Sequence, residues 1–333
     1  HEPGMSRPAP SPIYTLRGAG GPLNTLHFSC FGGDTPLLFS GSGKGAIHIW
    51  NLNSRRAEKI LEGHSGNSVI WVDTLESTGA LISQGRDTRV CLWDLREGRS
   101  EVVDSVWTGS VGFCQSSLLE SSPGIYLLAF AGQQTEEVRH HLRLPVCTLV
   151  PDTKLGMVMC IKLWQPDSGP GPLLLAGYED GSLLLWDVTQ RSKLSQAKAH
   201  PEPVMCLTFD TERLRGISGS SEKKLSPWML DRQNNLQVSR TQDCVPLVNP
   251  GVSHLCIRQD GKLLASAGWD HRVRVFGWKR LRPLAALQYH TDMVLSVAFS
   301  DHQDPRRRLL AAGSKDHRVS LWSIYSNDGD NDG

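Results

Sequence analysis

One phrase of about sixteen residues recurs along this chain, and a chain built from copies of one unit has few ways to fold. Leu37–Leu52 reads LLFSGSGKGAIHIWNL, Leu173–Val188 reads LLLAGYEDGSLLLWDV, Leu263–Trp278 reads LLASAGWDHRVRVFGW and Leu309–Ile324 reads LLAAGSKDHRVSLWSI. Looser copies run over Leu81–Leu95 and Leu214–Leu230. Their aromatic anchors fall at Trp50, Trp93, Trp186, Trp228, Phe276 and Trp322, with spacings of 43, 93, 42, 48 and 46 residues. The longest spacing is about two periods, so a copy without its Trp is expected inside it. Gly124–Leu144 fits, with His141 or Leu142 close to the place of the missing Trp.

Each copy holds an apolar run (strand b), a Gly/Ser/Asp turn and an alternating run ending in the aromatic residue (strand c). Upstream lies a further run (strand a), as in VIWVDTL, VMCLTFD and VLSVAFS; downstream come AEKILEG, SEVVDSV, KLSQAKA and PLAALQY (strand d). Four strands repeating every 40–45 residues or so are the pattern of a β-propeller blade. One such sheet cannot bury both faces alone, so units must stack. The expectation is an all-β, seven-bladed propeller over residues 13–325, each blade about 45 residues. The last copy ends at Ile324 without an outer strand, whereas a spare run, Ile13–Arg17, precedes the first. The N-terminal strand is therefore expected to close the last blade and cover an open edge. Residues 1–12 read as a disordered Pro-rich lead, with His1–Gly4 ahead of Met5 a processing remnant, and 326–333 as a disordered acidic tail.

The chain has 35 basic and 34 acidic side chains, a net charge of +1, which gives no electrostatic reason to expect nucleic acid or an anionic membrane. No apolar run is long enough for a membrane helix, and the polar start HEPGMSRPAPSP does not resemble a secretory signal. The eight cysteines form no CxxC pair. Reduced thiols, and a cytoplasmic and nuclear location, are the expectation.

One copy carries a full polar set: His64, Ser83, Asp87 and Trp93. The spacing suits a hydrogen-bonded chain from Trp N–H to Ser, Ser to His and His to Asp. His200, Ser218, Glu222 and Trp228 repeat it, and His290, Asp316 and Trp322 keep three members with Ala312 at the Ser position. Other copies keep less: Ser266 and Asp270 with Phe276, Asp180 with Trp186, Ser40 with Trp50. A catalytic triad would occur once, with an exposed Ser. A set that returns with the repeat and is tied to a core Trp is bracing, so no catalytic, cofactor or metal residue is assigned. Gly41–Gly45 (GSGKG) lacks P-loop spacing, His140 and His141 should point to opposite faces of a strand, and Arg306–Arg308 read as a solvated turn. Pro227 cannot donate a ladder hydrogen bond, so a bulge or a loosened outer strand is expected beside it.

The Trp-Asp endings, Gly-His lead-ins and turn aspartates, in phrases such as SQGRD, CLWDLREGRS, SVGFC, LLLAGYEDGS, AGWDHRVRVF and AAGSKDHRVSLWS, resemble the WD40 family. Within it the chain is similar to the G-protein β-like proteins, a group related to the fungal ASTRA-associated proteins. The resemblance covers about Leu37–Ser323 and implies a non-catalytic scaffold, monomeric by itself and working through protein partners. It further implies association with the Tel2–Tti1–Tti2 co-chaperone assembly and maturation of phosphatidylinositol-3-kinase-related kinases. The alternative is a G-protein β-like signalling subunit. That reading needs a helix to wind around a γ subunit, and MSRPAPSP ahead of the first strand shows no heptads.

Propellers recruit partners on the side holding the d–a and b–c turns. There the residues before the turn acids, Arg86, Glu179, Trp269 and Lys315, are candidate contacts. Asn67, Pro203 and Met293, three residues after the lead-in histidines, join them. Trp269 leads the set, because Trp is enriched at interface hot spots.

Overall fold

The computed structural model describes residues 10–324 apart from 33–34, 134–137, 142–145, 170, 302–303 and 305–306. Among these residues the alternating runs pair antiparallel, and the strands fall into seven sheets. In the order a to d, sheet 1 holds Leu23–Gly32, Thr35–Ser42, Ala46–Asn51 and Arg56–Glu62. Sheet 2 holds Val69–Leu75, Ala80–Gly85, Arg89–Asp94 and Glu101–Trp107; sheet 3 holds Ser117–Ser122, Ile125–Ala131, Val138–His141 and Val146–Leu149. Sheet 4 holds Val158–Trp164, Leu173–Tyr178, Ser182–Asp187 and Ser192–Lys198. Sheet 5 begins with Cys206–Asp210, Arg215–Gly219 and Lys224–Leu230, and sheet 6 holds Val252–Ile257, Leu263–Gly268, Arg272–Gly277 and Pro283–Gln288. Sheet 7 is Val294–Phe299, Leu310–Ser314 and Val319–Trp322, with Tyr14–Leu16 as its outer strand.

The chain is thus all-β and of the propeller-repeat class. Six sheets carry the repeat's aromatic on strand c; sheet 3, from the Trp-less stretch, does not. The side chains of His141 and Leu142, either of which could stand in for that Trp, lie outside the described residues, as does that of His140. Tyr14, Thr15 and Leu16 pair with Leu321, Ser320 and Val319, so the N-terminal run supplies the strand that the last copy lacks. The expected lead, up to residue 9, and the tail from 325 lie outside the described residues.

The recurring b–c turn has a local cause. A residue leading into strand c is left-handed in five sheets: Gly45, Thr88, Gly181 and His271 directly before the strand and His317 two residues before it, with φ of 93°, 70°, 92°, 74° and 69°. The preceding aspartate holds the turn by accepting an amide two residues on: Arg89 N to Asp87 at 3.3 Å, Ser182 N to Asp180 at 2.9 Å, Arg318 N to Asp316 at 3.0 Å. At Gly181 the residue must be glycine, since a Cβ would lie 1.8 Å from the His200 carbonyl oxygen.

The chain divides into two units, His1–Glu76 with Asn249–Gly333, and Ser77–Val248. In the first, Leu16, Leu23, Trp50, Ala311 and Leu321 join sheets 7 and 1, while Val275, Leu287, Val297 and Trp322 join sheets 6 and 7. In the second, Leu127, Ala129, Leu163 and Trp186 join sheets 3 and 4, and Trp164, Leu175, Phe209 and Trp228 join sheets 4 and 5. In all four clusters the strand c Trp packs toward the preceding sheet. That explains why it recurs: a large ring fills the gap that a four-stranded sheet leaves against its neighbour.

Pro227 has the expected consequence. It pairs with Ile217 on one side. On the other, the outer strand is split into Leu236–Val238, paired with Trp228–Leu230, and Val245–Pro246, paired with Lys224–Leu225. A 3-10 turn, Thr241–Asp243, lies between the two pieces.

Candidate protein-interaction rim

The polar sets are internal. In sheet 7 His290 places Nδ1 2.9 Å from Asp316 and Nε2 2.8 Å from Ser320 Oγ, and Trp322 Nε1 donates to the same oxygen at 2.8 Å. Ser320 stands directly opposite Ala312, so the hydroxyl absent from strand b comes from strand c. Sequence reasoning missed Ser320; its position two residues before the aromatic was the available signal. In sheet 5 His200 bonds Glu222 through Nδ1 and Ser218 through Nε2 at 2.8 Å. Here the expected Trp link is a correction: Trp228 Nε1 has no partner. Its ring lies flat on Gly216, where the other copies carry leucine, and a Cβ there would fall 2.2 Å from the indole. In sheet 2 Trp93 Nε1 donates to Ser83 Oγ at 2.9 Å, and His64 is fully buried.

Sheets 1 and 6 reach the same end by other residues. Trp50 Nε1 donates to Ser40 at 2.9 Å, and His48 stacks on the indole at 5.2 Å. In sheet 6 the buried Arg274, opposite Ser266, grips Asp270 with two bonds of 3.1 and 2.7 Å. In sheet 4 Ala176 replaces the Ser, and Trp186 Nε1 is left unpaired. Asp180 there closes on Ser182 at 3.1 Å.

Burial holds His200 and His290 below the ordinary imidazole range, against the opposite pull of Glu222 and Asp316. Burial pushes the Cys114 and Cys206 thiols up to about 12, so neither is an available thiolate. Ser218 and Ser320 are wholly buried and no substrate can reach them. Among the described residues no group of His, Cys, Asp and Glu could hold a metal.

The glycine-rich run Gly41–Gly45 spends its amides internally, Gly43 N on Pro22 O at 2.8 Å and Gly45 N on Ser42 O at 3.1 Å. Arg308 departs from the solvated-turn reading. It bonds Asp260 at 3.1 Å, the carboxylate that also receives the buried Arg258 at 2.7 Å.

The candidate contacts lie where a b–c turn meets the residues leading into strand a. In the first unit, Trp269 N donates to Gly251 O at 3.1 Å and the Trp269 ring lies against Gly251, leaving the indole half-buried. Lys315 N donates to Met293 O at 2.9 Å, with the lysine exposed and Met293 half-buried. Asn67 is exposed, but its side-chain amide is spent on His64 O at 3.1 Å.

In the second unit, Glu179 exchanges bonds with exposed Met157: Glu179 N to Met157 O at 2.9 Å and Met157 N to the carboxylate at 3.0 Å. Pro203 is half-buried and its carbonyl accepts Ser220 Oγ at 2.6 Å. Arg86 donates Nε to Val111 O at 2.8 Å and lays its guanidinium 4.1 Å from the Phe113 ring centre. Phe113 is 69% exposed and Val111 57%. This loop is pinned: buried Gln84 takes bonds from Ser116 N and Oγ, both 2.8 Å, and gives one to Cys114 O at 3.1 Å. Phe113 escaped the sequence reading, although SVGFC places an aromatic in a turn-rich stretch with no strand c to belong to.

Repeated four-stranded sheets, buried His-Ser-acid bracing and a pinned apolar rim define a WD40-repeat protein. The WD domain, G-beta repeat, family matches residues 10–51, 247–277 and 281–323. The mouse guanine nucleotide-binding protein subunit beta-like protein 1 is 50% identical over 96% of this chain and 97% of its own length, and the chain belongs to that family. ASTRA-associated protein 1 of Schizosaccharomyces pombe is 25% identical over 95% of this chain and 99% of its own. That of Aspergillus flavus is 24% identical over 97% and 99%.

Proposed function

We propose that the protein is a non-catalytic adaptor, a seven-bladed propeller over residues 13–325 whose first strand completes its last blade. It recruits proteins through the turn rim, acting with the Tel2–Tti1–Tti2 co-chaperone assembly in maturation of phosphatidylinositol-3-kinase-related kinases, in cytoplasm and nucleus. The observation that carries this reading is the Arg86–Val111–Phe113 loop. Hydrogen bonds to Gln84 from Ser116, and from Arg86 to the Val111 carbonyl, hold the loop with its two exposed apolar side chains in place, so a partner would gain their burial without having to order the loop. Likeness to proteins named ASTRA-associated supports an assembly as the setting.

The test is co-purification of the full chain with reconstituted Tel2–Tti1–Tti2. Phe113→Ala with Arg86→Glu should weaken binding at least tenfold while the melting temperature holds. Retained binding refutes the loop, and absent binding by the unaltered chain refutes the partner. The family name, G-protein β-like, supports a second reading as a signalling subunit. Co-elution with a G-protein γ subunit in the same assay would favour it.

A further inference from the structure

Outer strands of stacked sheets are exposed edges that must be kept from pairing with other chains, by shortness, positive charge or proline. Six sheets here carry such guards. Strand d of sheet 1 has Arg56 and Lys59, that of sheet 4 has Lys193 and Lys198, and that of sheet 6 starts at Pro283. The outer strand of sheet 7 has three residues, that of sheet 3 has four, and that of sheet 5 is broken into pieces of three and two. Sheet 2 is the exception: Glu101–Trp107 runs seven residues, EVVDSVW, with no Lys, Arg or Pro. Along it Val102, Val103 and Trp107 are 42%, 57% and 57% exposed.

We propose that this edge is a docking strand for an extended segment of a partner protein, one that alternates apolar and basic residues. The charge on the strand selects the occupant. Glu101 and Asp104 are exposed and neither has an ion-pair partner among the described residues; Asp104 accepts only the Ser105 amide at 2.8 Å. A basic segment would answer both carboxylates, while its main chain used the open edge. A second copy of this chain fits poorly, because two such strands would bring four carboxylates and no cation onto one shared edge. The strand bulges at Val103, where pairing slips between Leu92–Asp104 and Trp93–Val102. The ladder for a partner is therefore Asp104–Trp107, with Val103 turned outward beside it.

The site is independent of the rim, and the two can be tested apart. The probe is a labelled octapeptide alternating lysine with valine and threonine, its control the same peptide with glutamate for lysine, measured by anisotropy against the full chain. The basic probe should bind at least tenfold tighter than the acidic one and slow amide exchange within 101–107. Val103→Lys, which installs the guard seen on the outer strands of sheets 1 and 4, should weaken it at least tenfold at unchanged melting temperature. Glu101→Lys with Asp104→Lys should reverse the preference, and the rim substitutions should leave it alone. Equal binding of both probes, protection elsewhere, or a concentration-dependent dimer abolished by Val103→Lys would overturn the proposal.

Discussion

Sheets 6 and 7 solve one problem with different residues. Each must tie a b–c turn to its strands through a largely buried carboxylate. Sheet 7 uses a histidine from outside the sheet, with His290 bridging Asp316 to Ser320 and Trp322 closing on the same hydroxyl. Sheet 6 has Val248 where that histidine would stand, and its brace comes from within strand c, as Arg274 bonds Asp270 twice. Its anchor is Phe276, which has no N–H to satisfy. The brace is therefore tied neither to one residue type nor to one strand: its polar group comes from strand b at Ser40, Ser83 and Ser218, and from strand c at Arg274 and Ser320.

The comparison can be broken at several points. Deleting residues 13–17 removes the outer strand of sheet 7, including buried Leu16, and should lower the melting temperature the most, by about 10 °C or more on thermal denaturation. Arg274→Ala leaves the Asp270 carboxylate without its cation and should cost about 3–5 kcal/mol in urea unfolding; Arg274→Met should cost no less, since the charge on Asp270 remains. Ser320→Ala orphans both His290 Nε2 and the Trp322 N–H, for about 1–3 kcal/mol.

Acid should act next. His200 and His290 are held below the ordinary range and His254 is held at about 4 against an ordinary 6.5, chiefly by burial. Each binds its proton more weakly when folded, so the unfolded chain takes up more protons as pH falls. Stability is full above about pH 6.5 and declines toward pH 4. A melting temperature flat across that window contradicts the assignment, and His254→Gln should flatten part of the slope. The smallest effect is expected at Trp228→Phe, within about 1 kcal/mol, because that indole donates to nothing. Trp322→Phe should cost measurably more.

Much of this was legible in the chain. The period, the four strands and the Trp-less copy follow from hydrophobic alternation and spacing, which are local properties. The splitting of an outer strand opposite Pro227 follows from a missing N–H. The polar bracing was legible where a histidine announced it and at Ser40, the serine that receives the Trp50 N–H. Ser320 and Arg274 looked like ordinary strand c residues, because a serine or arginine on an alternating strand reads as solvent-facing. Trp269 looked like the leading contact, yet its ring rests on Gly251, while Phe113 stands more open on a loop that Gln84 holds.

By itself the sequence determined the repeat, the strand order and the class, because backbone pairing and side-chain alternation depend on neighbours a few residues away. Tertiary structure decided which polar group completes each brace and which aromatic stays exposed. Those outcomes depend on what stands across from a residue in space, over separations of tens of residues, and alternation along a strand carries no record of that.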